Sequence, residues 1–323
     1  MAITSNTQGS QSDMLEVNVE LISVGNELLS GTIANTNAQW LSTQITQAGG
    51  IVKRITVLGD CYREISFVIQ DSIERAPDWL ILSGGLGPTY DDQTLRGLSS
   101  ALGRRLKLNP RAIEMLRKSY TRYKQRLVPS DSKLNEIRLK MAKIPRGSVP
   151  LQNPVGSAPA VYIDVKNGVR DGSRRGVGTT RVVCLPGVPK EMEAIFTKKI
   201  LPQLKRSVGK YYFLESMFET VGVGESMLAP TLSKLAGSYP SEELYVKTHP
   251  KGYKTNFLRN EKTRLKPKPE PKLNIQIVSK GEDKLQVKER YDLVFGALRE
   301  EIRKLGGKIL VNFAQRSKTS SLT

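Results

Sequence analysis

The sequence predicts an α/β fold: a three-layer domain on a mostly parallel sheet, followed by a small α+β domain. Apolar strand patterns alternate with amphipathic helical patterns through the first two hundred residues, which implies parallel strands with helices on both faces. Each of the first three strands runs into a glycine, at Gly25, Gly59 and Gly84. Around residue 205 the alternation gives way to longer strand-like runs and one long amphipathic helix.

The elements follow in order. Leu15 to Gly25, "LEVNVELISVG", reads as a strand that stops at glycine. Asn35 to Gly49 has apolar residues at Trp40, Leu41 and Ile45 and closes on a glycine pair, as a helix with a C-cap does. "IVKRITVLGD" is the second strand, and "YREISFVIQDSIERA" the second helix, with Ile65, Val68, Ile69 and Ile73 on one face. "DWLILS" is the third strand, followed by helices over Gln93 to Leu102 and Pro110 to Arg126. "SAPAVYIDV" and "TRVVCLPG" are strands joined by a Gly- and Arg-rich turn, and "PKEMEAIFTKKILPQL" is a helix with proline at its start. In the second half, "KYYFLESMFETVGVG", "ELYVKTHPKG" and "PKLNIQIVSKG" are strand-like, while "ESMLAPTLSKLAG" and "KLQVKERYDLVFGALREEIRKLGG" are helical. The domains are thus expected at 14–205 and 206–310, with a disordered tail over 1–13 and a second tail over 311–323. A basic insertion over 253–272 is expected to form a long mobile loop.

Composition narrows the function classes. The chain is 38% hydrophobic and 25% charged, enough for a packed core, and no run is long and apolar enough for a membrane span. Cys61 and Cys184 have no zinc spacing and read as free thiols of a cytoplasmic protein. A single His249 excludes histidine-rich metal sites and leaves little room for a Ser-His-Asp triad. The net charge of +19, from 50 basic and 31 acidic residues, suits polyanionic partners but equally a charged, solvated surface.

Ligands of a parallel sheet bind beyond the carboxyl ends of its strands, where the three glycine loops lie. In "LILSGGLGPTYDD" the loop glycines Gly84, Gly85 and Gly87 expose backbone N–H groups to phosphate, and Thr89 is a further donor. Asp91 and Asp92 are one carboxylate more than a helix cap requires and suit Mg²⁺, which takes oxygen ligands together with substrate phosphates. In "SVGNELLSGTIANTN" Gly25 ends the strand and Glu27 follows it, while Asn35 and Asn37 are caps or amide partners of a ligand. Asn153, Gly156 and Ser157, then Pro186 and Gly187, form rigid turns. Gly187 precedes another helix N-terminus, where Glu191 and Glu193 read as first-turn acids.

The motifs "GNELLSGTIANTN", "GGLGPTYDD", "NPVGSAPA" and "LPGVPKEM", in that order, resemble the molybdopterin-binding (MoaB/Mog-type) domain, most nearly in the form of the competence/damage-inducible protein A (CinA) group. The resemblance spans roughly Leu15 to Leu204. It implies a domain that binds a pterin or nucleotide pyrophosphate over these loops. The family's glycine-loop aspartate falls on Asp92, with Asp91 a CinA-type addition, and its acid after the second strand falls on Asp60. Molybdopterin enzymes often have Asp where this chain has Asn35, which suits the CinA branch. "GVGES" and "THPKG" are similar to the KH-like domain of that group. The deamidase domain that often follows is not expected, since the chain ends at Thr323. Homo-oligomers, dimers or trimers, are implied.

The leading expectation is a metal-dependent nucleotide pyrophosphatase acting on ADP-ribose, FAD or a related dinucleotide. Asp60, Asp91 and Asp92 would hold a divalent cation (Mg, Mn or Co), and Glu27 and Asn37 would orient the ligand. The first alternative is a molybdopterin-binding or adenylylating protein of molybdenum-cofactor synthesis. The second is nucleic-acid binding through the KH-like domain. Nine Lys or Arg in 246–272 face two Glu there, but the GXXG spacing and stacking aromatics are poor, so nucleic acid is the least favoured partner.

Overall fold

The computed structural model describes residues 16–124, 134–168, 177–241, 243–254 and 270–320. The expected tail at 1–13, Arg174 and Arg175 of the turn, and the centre of the basic insertion lie outside the described residues. Two compact units are present, the first ending at Val208 and the second beginning at Gly209.

The first unit contains β1 (Asn18–Val24), α1 (Asn26–Leu29), α2 (Thr36–Gln47), β2 (Ile51–Leu58), α3 (Tyr62–Glu74), β3 (Trp79–Ser83), α4 (Thr94–Ala101), β4 (Leu106–Leu108), α5 (Pro110–Lys124) and α6 (Glu136–Leu139). It continues through β5 (Lys143–Pro145), β6 (Val149–Leu151), β7 (Ala160–Gly168), β8 (Val177–Leu185), α7 (Pro189–Ile195) and α8 (Leu201–Val208). Six strands form one sheet in the order β2-β1-β3-β8-β7-β6, and β4 pairs with β5 apart from it. β2, β1, β3 and β8 are parallel; β7 runs antiparallel to β8 and β6. The register aligns the strand ends: Ser23 lies opposite Ser83, Ser83 opposite Leu185, and Val24 opposite Leu58. The loops that leave them therefore open at one level.

β3 is the central strand, and its residues WLILS are all buried, as a strand covered on both faces requires. Its Leu80 and Leu82 join Ile22 and Val24 of β1, Ile65 and Ile69 of α3, Leu95 and Leu98 of α4, and Ala112 and Leu116 of α5 in one core. Leu41 and Ile45 of α2 and Met192, Phe196 and Ile200 of the last helix supply the buried residues of the other layer, where Trp40 meets Phe196 edge-on at 5.7 Å. That last helix is not one regular run. Phe196–Ile200 is a π-turn between α7 and α8. Pro202 has no N–H to return to the preceding turn, which accounts for the changed bonding there.

The second unit is a four-stranded antiparallel sheet, order β10-β11-β9-β12, with β9 (Tyr211–Val221), β10 (Leu244–Lys254), β11 (Glu270–Gly281) and β12 (Lys308–Ser320). Helices α9 (Glu225–Gly237) and α10 (Lys284–Lys304) contribute Leu228, Val294, Leu298 and Ile302 to its core beside Phe218, Ile275 and Ile277. Asp283 caps α10 by accepting from the N–H groups of Leu285 and Gln286 at 2.7 and 3.1 Å. Two expectations are corrected. The residues assigned to a tail, 311–323, belong through Ser320 to β12, which pairs along β9; the apolar signal stops at Phe313, so the polar end shows no alternation to read. Both ends of the basic insertion are strand, since β10 runs to Lys254 and β11 starts at Glu270.

One ion pair clamps the first sheet. Glu20 of β1 is 5% exposed and receives two hydrogen bonds of 2.7 Å from the Arg75 guanidinium, which also reaches Asp71 and the Ser72 hydroxyl. Removing one partner of a buried pair leaves the other charge without compensation. Arg75→Met should lower folding stability by roughly 3 kcal/mol, read as a fall in the denaturation midpoint; an unchanged midpoint would show that water replaces the guanidinium.

Candidate functional site

The loops after β1, β2, β3 and β8 meet at the carboxyl edge of the sheet. Their approach is close enough that glycine is required. Gly84 adopts φ +105°, and a Cβ there would lie 2.1 Å from the Val24 carbonyl oxygen. Gly85 adopts φ +64°, and its Cβ would meet the Thr94 hydroxyl at 2.3 Å. That hydroxyl donates to the Gly84 carbonyl at 2.7 Å, and the Thr94 N–H donates to the Gly85 carbonyl at 3.2 Å. Among the described residues no acceptor meets the N–H groups of Gly85, Leu86 and Gly87. Three consecutive unpaired donors on a glycine loop form an anion cradle.

The carboxylates surround this cradle. Asn26 and Asp60 tie the first two loops together: Asn26 N–H donates to the Asp60 carboxylate at 3.0 Å, and Asp60 N–H donates to the Asn26 side-chain oxygen Oδ1 at 3.2 Å. Burial raises the Asp60 carboxyl above the ordinary range; the Asn26 N–H opposes this, while Glu27, Asp91 and Asp92 push it further up. The doubled aspartates do not cap α4, whose N-cap is Gln93. Thr89 holds them instead, donating to Asp92 from its N–H at 2.8 Å and from its hydroxyl at 2.6 Å, with the same hydroxyl against Asp91. One hydroxyl carries one proton, so it satisfies one carboxylate at a time. The Thr89 bond, first, and Lys140 lower the Asp91 carboxyl. Lys140 is itself lowered by desolvation and donates to the Thr89 carbonyl.

A cavity of about 410 Å³ takes in Gly25, Glu27, Asp60, Gly84, Gly85, Gly87, Thr89, Asp91, Asp92, Ser157, Pro186 and Gly187. The other candidate residues stand behind its wall. Asn35 accepts from the Ala38 N–H at 3.2 Å, which makes it the N-cap of α2, and from the Ser23 hydroxyl at 3.1 Å. Asn37 donates to the Gly187 carbonyl at 2.7 Å, which anchors the loop after β8. Asn153 is fully buried; it accepts from Val155 and Gly156 N–H groups and donates to the Ala158 carbonyl and to Glu191 Oε2 at 2.6 Å. A Cβ at Gly156 would fall 1.9 Å from Glu191 Cδ, so a larger residue there requires the carboxylate to move.

Glu191 and Lys140 are the residues that sequence reasoning missed. Glu191 is a first-turn acid of α7, as expected, and is also a half-buried wall of the cavity. Its burial raises the carboxyl, with Asn153 opposing. The "NPVGSAPA" motif was its only signal, read as a turn rather than as a cradle for a distant acid. Lys140 lies in a stretch with no pattern of its own. His249 sits in β10, 3.4 Å from Gln276 Oε1, and Cys61 and Cys184 are free thiols, one exposed and one buried.

The side chains of Glu27, Asp60, Asp91 and Asp92 offer only oxygen ligands, so a hard divalent cation fits the residues present. Among the described residues no three Asp, Glu, His or Cys side chains converge as a ready-made ion cage. Mg²⁺ does not need one, because it is held by one or two carboxylates plus substrate phosphates.

The family model described as a probable molybdopterin binding domain matches residues 20–206. A protein of Metallosphaera sedula is 38% identical over 290 residues, 90% of this chain and 96% of its own length. A protein of Aeropyrum pernix is 41% identical over 232 residues, 72% of this chain and 78% of its own. The crystal structure of the protein CinA with unknown function from Thermoplasma acidophilum is 34% identical and covers 60% of this chain and 99% of that one, with a TM-score of 0.48.

A carboxyl raised by folding favours the native state while protonated, and that contribution is lost as pH rises through its folded value. E191Q should therefore gain melting temperature over wild type as pH goes from about 4 to 7, while the two stay close at the acid end. A difference independent of pH would mean that Glu191 ionises freely in the folded protein.

Proposed function

The chain belongs to the probable molybdopterin-binding domain family, and from that premise we propose that it is a metal-dependent pyrophosphatase acting on a dinucleotide such as ADP-ribose or FAD. One observation carries the reading: three unpaired loop N–H groups lie beside the cavity that holds Glu27, Asp60, Asp91 and Asp92. The donors suit a pyrophosphate, yet the carboxylates repel it. Only a cation between them makes both halves useful.

Gly85 to Gly87 would hold the non-bridging phosphate oxygens, with the Thr89 hydroxyl close by. Asp60, Asp91 and Asp92 would hold the cation; when bound, it polarises a phosphoryl oxygen and makes water more acidic. Glu191, its carboxyl raised by burial, is suited to take the proton of the attacking water. The water oxygen bonds to one phosphorus as the bridging P–O bond breaks. ADP-ribose would yield AMP and ribose 5-phosphate, and FAD would yield AMP and FMN.

A second cavity of about 790 Å³ adjoins the first and shares Gly85 to Thr89, Asp92 and Met141 with it. Tyr90, 87% exposed, and Ile137, 62% exposed, line it. Apolar surface left open beside a phosphate site suits a nucleoside ring, which favours a dinucleotide over inorganic pyrophosphate.

A second reading is that the cavity binds molybdopterin or adenylylates it. Asn35 caps α2 outside the cavity, so its difference from Asp leaves the cavity chemistry unchanged and does not count against this reading. Pterin fluorescence retained on the purified protein would favour it; a protein unable to bind pterin removes it.

Purified protein should release AMP from ADP-ribose or FAD with Mg²⁺, Mn²⁺ or Co²⁺; no turnover with any of them, in folded protein, overturns the proposal. Asp92→Ala should lose turnover about 100-fold or more while retaining ligand binding. Unchanged turnover would reduce Asp92 to a partner of Thr89. Tyr90→Ala should raise KM about tenfold with kcat little changed, as lost stacking predicts; an unchanged KM places the ring elsewhere.

A further inference from the structure

The β4–β5 hairpin carries a second feature. Arg104 and Arg105 lead into β4, Lys107 lies within it, and Arg146 follows β5. All four line one concavity of about 610 Å³ together with Gly103 and Gly147. Both glycines adopt positive φ, +60° and +86°, so the chain turns there without adding side chains. The Arg104 guanidinium lies over Gly147, with Nη1 3.1 Å from where a Cβ would sit. The Arg146 N–H donates to the Arg105 carbonyl at 3.1 Å, so Arg105 extends the strand ladder by one rung. Arg105, Lys107 and Arg146 are exposed. Among the described residues none of the four cations forms an ion pair.

Four like charges around one hollow, with no carboxylate between them, repel one another and attract a polyanion. We propose that this hairpin binds the sugar-phosphate backbone of single-stranded nucleic acid, independently of base sequence. Spacing selects this ligand. Arg105 and Lys107 stand two residues apart on an extended strand, about 6.6 Å along it, comparable to successive phosphates of an extended nucleic-acid strand. The phosphates of an anhydride-linked chain are much closer together. No aromatic side chain lines the concavity, so bases have nothing to stack on and only the backbone is held. The site lies on the first unit and does not involve the basic insertion of the second.

The test uses the full chain and a fluorescein-labelled 20-mer of thymidylate, read by polarisation from low to moderate salt. The double variant R105E/K107E should weaken binding tenfold or more. It should also reduce the slope of log K against log salt by about 1.4, two contacts at 0.7 each for a single strand. K284E/K288E on α10 makes the same change in net charge at exposed positions and should leave both values within twofold. Equal weakening by the two variants would assign binding to overall charge and overturn the proposal. No binding of the oligonucleotide at low salt would overturn it too, as would binding of inorganic polyphosphate with none of the oligonucleotide. Because the readout is binding alone, failure of the pyrophosphatase assay leaves this result intact.

Discussion

The near-contact of Gly84 with the Val24 carbonyl is the constraint on which the site depends. Parallel strands normally keep their neighbours at ladder distance, and the loops beyond them splay apart. Here the chain leaving β3 turns at positive φ straight across the end of β1, in space that any Cβ would fill. Gly187 comes in from β8, where the position of its missing Cβ lies 3.3 Å from Gly84 Cα. Three strand ends are thereby drawn into one small area. The loop N–H groups and the acids share a cavity because these three backbones are allowed to approach so closely.

That compression has an electrostatic cost. Acids from three loops face a common space, and Asp60, its carboxyl raised first by burial, is pushed further up by Glu27, Asp91 and Asp92. The Thr89 hydroxyl lies against both aspartates with a single proton to offer. Lys140, desolvated and bonded to the Thr89 carbonyl, compensates in part. A fold does not ordinarily gather partly compensated carboxylates at a cavity mouth, and such clusters are where functional sites are sought.

Much of this was legible in the sequence, for identifiable reasons. The glycine that ends each strand and the alternation of strand and helix are local signals, and they located the loops at one edge. The doubled aspartate stood out because a cap needs only one acid; the structure assigns the cap to Gln93 and the aspartates to the cavity. Glu191 was hidden because its first-turn position has an ordinary explanation, and only the fold brings Asn153, 38 residues away, to its carboxylate. Lys140 was hidden for a similar reason, since it reaches Thr89 across 51 residues. β12 escaped because an edge strand that turns polar halfway carries no period.

The Gly156–Glu191 packing bears on how sequence variation in this chain should be read. Gly156 offers no side chain to a ligand, and it lies behind the cavity wall. Yet the volume it leaves empty is the volume the Glu191 carboxylate occupies. Even alanine at that position would require the Glu191 carboxylate to move from where it now lies. A residue with no chemistry of its own thus sets where the acid lies, and a benign-looking small substitution there is a change to the cavity wall.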